Sequence, residues 1–512
     1  MTDTHASHAE QHDSDDGLSQ GEPPHGERLR FPGVYAFVGS GCLLVLELVA
    51  GRILAPTIGV SLYTWTSIIG VVLAGISLGN WLGGRIADRA PGRATLSSLY
   101  LLSALTSALI LAFSRDLGKI AAPHTWPAIT QVLWLTTLLF FIPSTLLGTM
   151  TPMLIKLSLR SLGATGRVVG RIQAAATLGS IVGTFLTGFF LISWFGTRAI
   201  VAGVSGALLV LGAFSNPIWT RRSRMTVAAV VLFIAGMAAL SKSPCLVESN
   251  YFCISIEKVQ GGEILVLNLD HLDHGHVDTK DPTNLIYPYQ ILYQQVLDTW
   301  YPRGTRVDSF QIGGGAYTTP RYLERYYTGR QVVAEIDPAV TEFAHDRLFL
   351  SRDTTVETIS DDARQALKTL GADEQFDVVL GDAFNDAAIP YHLTTVEFNA
   401  LLKTHMRPDG VYMINVVDGV EYAFLRSFML TLREVFYDVR LMTLPGLWPL
   451  DPKGGSTFVV AASDRPLPDV PSMVPRDEVD AYLDQEGGSV LIDDHVPVDQ
   501  LLTPNFRRRL ER

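Results

Sequence analysis

Hydrophobic positions along this chain follow two regimes. Between residues 31 and 240 they form long, nearly unbroken runs, whereas from about residue 250 they come in short bursts. About 20 mostly apolar residues are needed to cross the hydrocarbon core of a bilayer. Seven stretches fit, near 32–50, 64–84, 96–113, 131–150, 171–193, 197–214 and 225–240. The last is short, and a buried helix is the other reading of it. Small residues recur inside the stretches, as in Gly75-Ile76-Ser77-Leu78-Gly79 and Gly179-Ser180-Ile181-Val182-Gly183. Such positions let helices approach closely and predict a packed bundle rather than a single anchor. Glu47 and Arg52, at the end of the first stretch, read either as a structural ion pair or as a polar site within the bundle.

Downstream, the period changes. Tyr251–Ile256 and Glu263–Asp270 read as strands of a small β meander, and Pro288–Thr299 as a helix. Strands and helices then alternate: Val307–Ile312 strand, Pro320–Tyr327 helix, Gln331–Glu335 strand, Pro338–Phe349 helix, Val356–Ile359 strand, Asp362–Leu370 helix. Phe376–Leu380, Gly410–Val416 and Phe458–Ala462 complete the set of strands. Alternation of this kind predicts a mostly parallel, doubly wound α/β sheet of Rossmann-like type. The expected organisation is a disordered tail (1–30), a transmembrane helical bundle (31–241) and a meander with its connecting helix (248–300). A Rossmann-like catalytic domain (301–465) and a C-terminal extension (466–512) follow.

Composition sharpens this picture in three respects. The net charge of −11 argues against nucleic acid as a partner, since phosphate binding relies on Lys and Arg. Three cysteines (Cys42, Cys245, Cys253) exclude a disulfide scaffold and a cysteine zinc cluster. The first 27 residues are polar and lack an apolar segment of the kind a cleavable signal carries. His5, His8, His12 and His25 in that tail are read as part of a disordered segment rather than as metal ligands.

Basic residues are distributed unevenly among the loops. One alternate set holds Arg85, Arg89 and Arg93, then Lys156, Arg160, Arg167 and Arg171, then Arg221, Arg222 and Arg224. The opposite set carries Arg52, Arg115, Lys119 and Arg198. The positive-inside rule puts the richer loops, and the N-terminus with them, in the cytoplasm. Seven spans would then leave the second half of the chain outside. A bridge between Cys245 and Cys253 would suit an oxidising compartment. Gly83-Gly84-Arg85-Ile86-Ala87-Asp88-Arg89 also resembles the cytoplasmic loop between the second and third helices of major facilitator transporters.

Candidate chemistry collects at predicted strand ends. Gly313-Gly314-Gly315 follows one strand, Glu335 ends the next, Asp362 follows the third and Asp382 the fourth. In doubly wound sheets, ligands bind beyond the carboxyl ends of the strands. Glycines let a ligand approach the backbone, Glu335 can accept from both ribose hydroxyls, and Asp362 can accept from an adenine amino group or cap a helix. Asp361 rivals Asp362 for either role. No Lys follows the glycines in the manner of a triphosphate cradle.

Gly313-Gly314-Gly315, Glu335-Ile336-Asp337, Asp362-Ala363 and Phe376-Asp377-Val378-Val379-Leu380-Gly381-Asp382-Ala383 together resemble the spermidine synthase (aminopropyltransferase) family. Leu269-Asp270 and Leu393-Thr394-Thr395-Val396-Glu397-Phe398 extend the likeness over roughly residues 248–465, and with the apolar half the chain resembles the membrane-fused members of that family. The resemblance implies that an aminopropyl group moves from decarboxylated S-adenosylmethionine to an amine such as putrescine, releasing methylthioadenosine. It further implies Asp382 as the catalytic carboxylate and Gly313, Gly314, Gly315, Glu335 and Asp362 as cosubstrate ligands. Tyr289, Gln290, His274 and Asp386 would meet the substrates; no metal and no tightly bound cofactor are needed. Implied partners are a polyamine or other small amine and the lipid bilayer, with a homodimer as one open assembly.

The departures from the family pattern are specific. An acid normally follows the three glycines, where this chain has Ala316-Tyr317. His271 and His274 stand where the family has Gly and Gln, and the catalytic loop reads Asp382-Ala383-Phe384-Asn385-Asp386. Two other readings therefore stay open: a methyltransferase or other enzyme consuming intact S-adenosylmethionine, which Ala316 favours, and a transporter or sensor with a non-catalytic nucleoside- or polyamine-binding domain.

Overall fold

The computed structural model describes residues 29–59, 61–113, 126, 128–159, 161–216, 220–240, 243–384, 389–419, 421–448, 455–485, 487–498 and 500–502. The tail expected over 1–30 falls almost wholly outside them, as does Asp386. Among the described residues, six helices are long and apolar enough to cross a membrane: α1 (Pro32–Ile58), α2 (Leu62–Arg89), α3 (Arg93–Phe113), α4 (Thr130–Ser158), α5 (Thr165–Trp194) and α6 (Thr197–Ser215). The seventh stretch is also helical, α7 (Arg221–Leu240), but its apolar part is shorter, Arg224–Ala239.

The glycine-rich stretches are where these helices touch. A Cβ at Gly183 in α5 would lie 2.6 Å from the carbonyl oxygen of Gly41 in α1, and one at Gly83 in α2 would lie 2.6 Å from the Cα of Thr149 in α4. Only glycine permits so close an approach of two backbones, and close approach is the main source of helix association where solvent is apolar. Large apolar side chains such as Trp81, Phe185, Phe189 and Phe214 point outward. Their exposure fits a surface that meets lipid rather than water. Arg52 does not pair with Glu47 among the described residues. Its guanidinium donates to the backbone carbonyls of Asn250, at 2.8 Å, and Ser249, in the other half of the chain.

A four-stranded antiparallel meander follows, β1 (Val247–Glu248), β2 (Cys253–Val259), β3 (Ile264–Leu269) and β4 (Leu272–Asp278), in that order. The last strand, which holds His274, Gly275 and His276, lies beyond the two strands expected for the meander. Its alternation is hidden because polar Asp273, His274 and His276 occupy it. Cys245 and Cys253 form a disulfide across the first pair of strands. Helix α8 (Pro288–Trp300) leads into the main domain.

The main sheet has seven strands: β5 (Ser309–Ile312), β6 (Gln331–Ala334), β7 (Glu357–Ile359), β8 (Phe376–Gly381), β9 (Met406–Gly419), β10 (Asp438–Met442) and β11 (Gly455–Ser463). Their spatial order is β10-β11-β9-β8-β5-β6-β7. Strands β5 to β9 run parallel, and β11 inserts antiparallel between β9 and β10. This is the Rossmann-like, methyltransferase-type fold. Helices α9 (Thr318–Tyr326), α10 (Pro338–Arg347), α11 (Ala363–Thr369), α12 (Val396–Thr404), α13 (Ala423–Arg433) and α14 (Arg476–Leu483) accompany the sheet. Strand β10 and helices α12 to α14 were not anticipated from the sequence. The chain runs β5-β6-β7 toward one edge and then crosses back to β8 on the other side of β5. The point where direction reverses lies between β5 and β8, and clefts for ligands form there.

The C-terminal segment is part of the core. Leu467, Val470, Val474, Val479, Leu483, Leu491, Val498 and Leu502 are all buried. The Leu491 backbone N–H donates to Thr431 and its carbonyl accepts from Val396.

Candidate active site

The glycine turn sits at the reversal point. Gly313 has φ +90°, and a Cβ there would lie 2.5 Å from the carbonyl oxygen of Asp382. The loop after β5 and the loop after β8 thus press together, which only a residue without a side chain allows. Gly314 turns its N–H toward the Glu335 carboxylate at 2.7 Å, and the other Glu335 oxygen accepts from the Asp337 N–H at 3.0 Å. Glu335 is 6% exposed, and burial pushes its carboxyl above the usual range despite those donors. Asp337 caps α10 through Ala339, 3.0 Å away, and accepts from the Ser249 hydroxyl.

Asp382 follows β8. One oxygen accepts from the Asn415 side-chain amide at 2.8 Å, and the other accepts from the Tyr289 hydroxyl. Burial drives its carboxyl up to about 7, with nearby Glu335 adding to the rise and the two donors opposing it. A carboxylate so poised can take or hold a proton near neutral pH. Tyr289 itself is 3% exposed, and its phenol is held well above its usual value by burial and by Asp382. The Tyr293 hydroxyl donates to the Gly381 carbonyl at 2.9 Å, so two tyrosines of one face of α8 brace the end of β8 and the loop after it.

Two clefts meet at Asp382. One, of about 170 Å³, is walled by Asp273, His274, Tyr287, Tyr289, Phe384 and Asn415 among others. The other, narrow at about 10 Å³, runs under the glycine turn past Gln290, Gln311, Ala316 and Thr319. His274 is pushed down to about 4 by burial, so its imidazole is neutral at pH 7. Gln290 lies buried beside Tyr289. Asp362 stands apart from this group. It caps α11 through the N–H groups of Arg364 and Gln365, at 3.0 and 3.2 Å, and pairs with His392 at 2.7 Å. Burial works against its charge, but His392 and the backbone donors prevail and hold the carboxyl below its usual range. Neighbouring Asp361 is exposed.

No family model matches the chain. Segments of it match a probable polyamine aminopropyl transferase of Bifidobacterium longum, at 30% identity over 106 residues, and a polyamine aminopropyltransferase of Vibrio vulnificus, at 31% over 115 residues. The matches cover 20% and 22% of this chain, and they span only 23% and 38% of those relatives. A longer match, 24% identical over 433 residues, spans 78% of this chain and 80% of a polyamine aminopropyltransferase of Oceanobacillus iheyensis. The chain is similar to the polyamine aminopropyltransferases. Among solved structures, a probable spermidine synthase of Corynebacterium glutamicum aligns with 47% of this chain and 86% of its own, at 22% identity and a TM-score of 0.40.

The acidic stations at the strand ends were legible in the sequence, but the residues that support them were not. Asn415, Tyr293 and Gln311 were missed. Asn415 interrupts an apolar strand, and Gln311 sits in a four-residue strand that is buried throughout. A polar residue inside a buried strand needs a partner, and that was the signal available.

Proposed function

We propose that this chain is a membrane-embedded transferase that moves the propylamine-bearing arm of an adenosylsulfonium onto an amine. Decarboxylated S-adenosylmethionine and putrescine are the reference substrate pair, and methylthioadenosine is the leaving product. The observation that carries this reading is Asp382, a half-buried carboxylate between Tyr289 and Asn415 that opens onto both clefts. The donor nucleoside lies along Gly313–Gly315 with its ribose on Glu335, and Asp362 closes the adenine end. The acceptor amine enters beside His274, Tyr289 and Tyr287. Its lone pair attacks the carbon next to sulfur, the carbon–sulfur electron pair returns to sulfur, and the amine proton passes to Asp382. Positive charge on the sulfonium disappears as the bond breaks, so positioning supplies much of the rate.

The catalytic half would face the non-cytoplasmic side, with α7 as the seventh crossing. Two contacts support this. The Arg52 guanidinium at the end of α1 and the Thr197 N–H at the start of α6 both bond the catalytic half, the latter through Glu248 at 2.7 Å. Both helix ends belong to the arginine-poor loops, and the Cys245–Cys253 bridge suits the same side.

The test is to incubate detergent-solubilised protein with the decarboxylated donor and putrescine and to follow methylthioadenosine and the new polyamine by mass spectrometry. Both products should form and should be lost in Asp382→Asn. S-adenosylhomocysteine from the intact donor would replace this reading with methyl transfer. Ala316, in place of an acid beside the glycine turn, is what favours that second reading.

A further inference from the structure

The smaller cleft under the glycine turn has a composition unsuited to a simple ammonium. Among the described residues that line it, Asp382 is the sole acid. Glu335, close by, is not part of the lining and is assigned to the ribose. The residue after the turn is Ala316 rather than an acid, and it packs against β4, where a Cβ at Gly275 would lie 2.7 Å from its own.

Two neutral amides wall the cleft instead. Gln311 and Gln290 are each 3% exposed. The side-chain nitrogen of Gln311 and the side-chain oxygen of Gln290 are buried with no hydrogen-bond partner within the protein. Buried polar atoms without partners are uncommon and cost on the order of 1–3 kcal/mol each. Both border the same cleft, one as a donor and one as an acceptor. Thr319, in the first turn of α9, borders it as well. The first N–H groups of a nine-residue helix have no carbonyl within the helix to bond, and they favour an anion.

We propose that this cleft binds the whole amino-acid end of intact S-adenosylmethionine, with Gln311 and the start of α9 on its carboxylate and Gln290 on its ammonium. The preferred donor is then the carboxylated sulfonium, and the group transferred is 3-amino-3-carboxypropyl. The step balances as before: the amine nitrogen bonds to the carbon beside sulfur, the carbon–sulfur pair leaves with neutral methylthioadenosine, and the amine proton goes to Asp382. The inference rests on the arm-transfer reading for the fate of the donor, though not for how the donor is held.

Binding and turnover separate the two. Equilibrium binding of S-adenosylmethionine and of its decarboxylated form to the solubilised full-length protein, without amine, should favour the intact donor by about tenfold or more, since a site built to bond a polar group rejects the analogue lacking it. In Gln311→Leu the ratio should collapse toward one, and in Gln311→Glu it should reverse. Should Gln311→Leu fail to fold, the near-isosteric Gln311→Met should give the same collapse, whereas Gln290→Leu, facing an ammonium that both donors carry, should weaken both alike and leave the ratio unchanged. Equal or tighter binding of the decarboxylated form to the unaltered protein overturns the inference. With putrescine added, methylthioadenosine and an amine product carrying a carboxylate support both readings. S-adenosylhomocysteine, alongside preferred binding of the intact donor, keeps the donor assignment and overturns arm transfer. Methylthioadenosine from the decarboxylated donor, alongside its tighter binding, does the reverse.

Discussion

At the scale of single residues, Asp382 carries opposite consequences for chemistry and for stability. Its carboxyl titrates near 7 when folded and near the usual aspartate value when unfolded. The folded state therefore holds the proton more tightly, and the stabilisation this gives is complete below the unfolded value and lost as pH rises through about 7. In the proposed reaction the carboxylate takes the amine proton, so the rate should climb over the same window in which stability falls. A pH–rate profile of kcat/KM should show an acidic limb near 7, and Asn415→Leu should move that limb upward, because the lost amide favoured the charged form. Asp382→Asn should lower turnover by about 100-fold or more. Thermal scans above pH 7 should find the same variant melting a few degrees higher. An unshifted limb in Asn415→Leu would count against Asp382 as the titrating group.

Among elements, the loops after β5 and β8 act as one unit. Gly313→Ala places a methyl against the Asp382 carbonyl and strains a backbone at φ +90°. It should abolish turnover while costing stability by about 1 kcal/mol or more, readable by chemical denaturation. Helix α11 gives a contrast. Asp362→Ala removes its cap and the His392 contact, and should cost about 1 kcal/mol. If Asp362 also meets the adenine, the affinity for the nucleoside should drop by more than that loss of stability predicts.

This is also the scale at which sequence and structure can be compared. The strand ends bearing Gly313, Glu335, Asp362 and Asp382 were legible, because each closes a short β-type run followed by a helical one. Strand β4 was not, since Asp273, His274 and His276 break its apolar period, the first two lining the cleft and the third pairing with Asp273. Strand β10 was missed because Asp438 and Arg440 are buried there through ion pairs with Arg476 and Asp469, partners far along the chain. What pattern cannot carry is long-range pairing, and Gln311, Asn415 and Tyr293 fall in the same class.

For the whole molecule, the C-terminal segment and the bundle both bear on what a working protein must contain. A chain ending at residue 465 would lose Leu467, Val470, Leu491 and Leu502 from the core and should not fold cooperatively, which near-ultraviolet dichroism would report. The membrane orientation has its own check. In intact cells, after mild reduction, a membrane-impermeant maleimide should label Cys245 or Cys253, and labelling only after lysis would place the domain on the cytoplasmic side.

Arg52 brings these scales together. Its guanidinium holds the Ser249 carbonyl, the Ser249 hydroxyl holds Asp337, and the Asp337 N–H holds Glu335. A tether of four residues thus runs from the rim of the first span to the carboxylate proposed to grip the ribose. A soluble fragment beginning near residue 243 would keep every strand of the sheet yet lose the outermost anchor of that tether. Trimming this protein to an easily handled enzyme would therefore slacken its grip on the nucleoside, and the bundle is better regarded as part of the binding apparatus than as packaging.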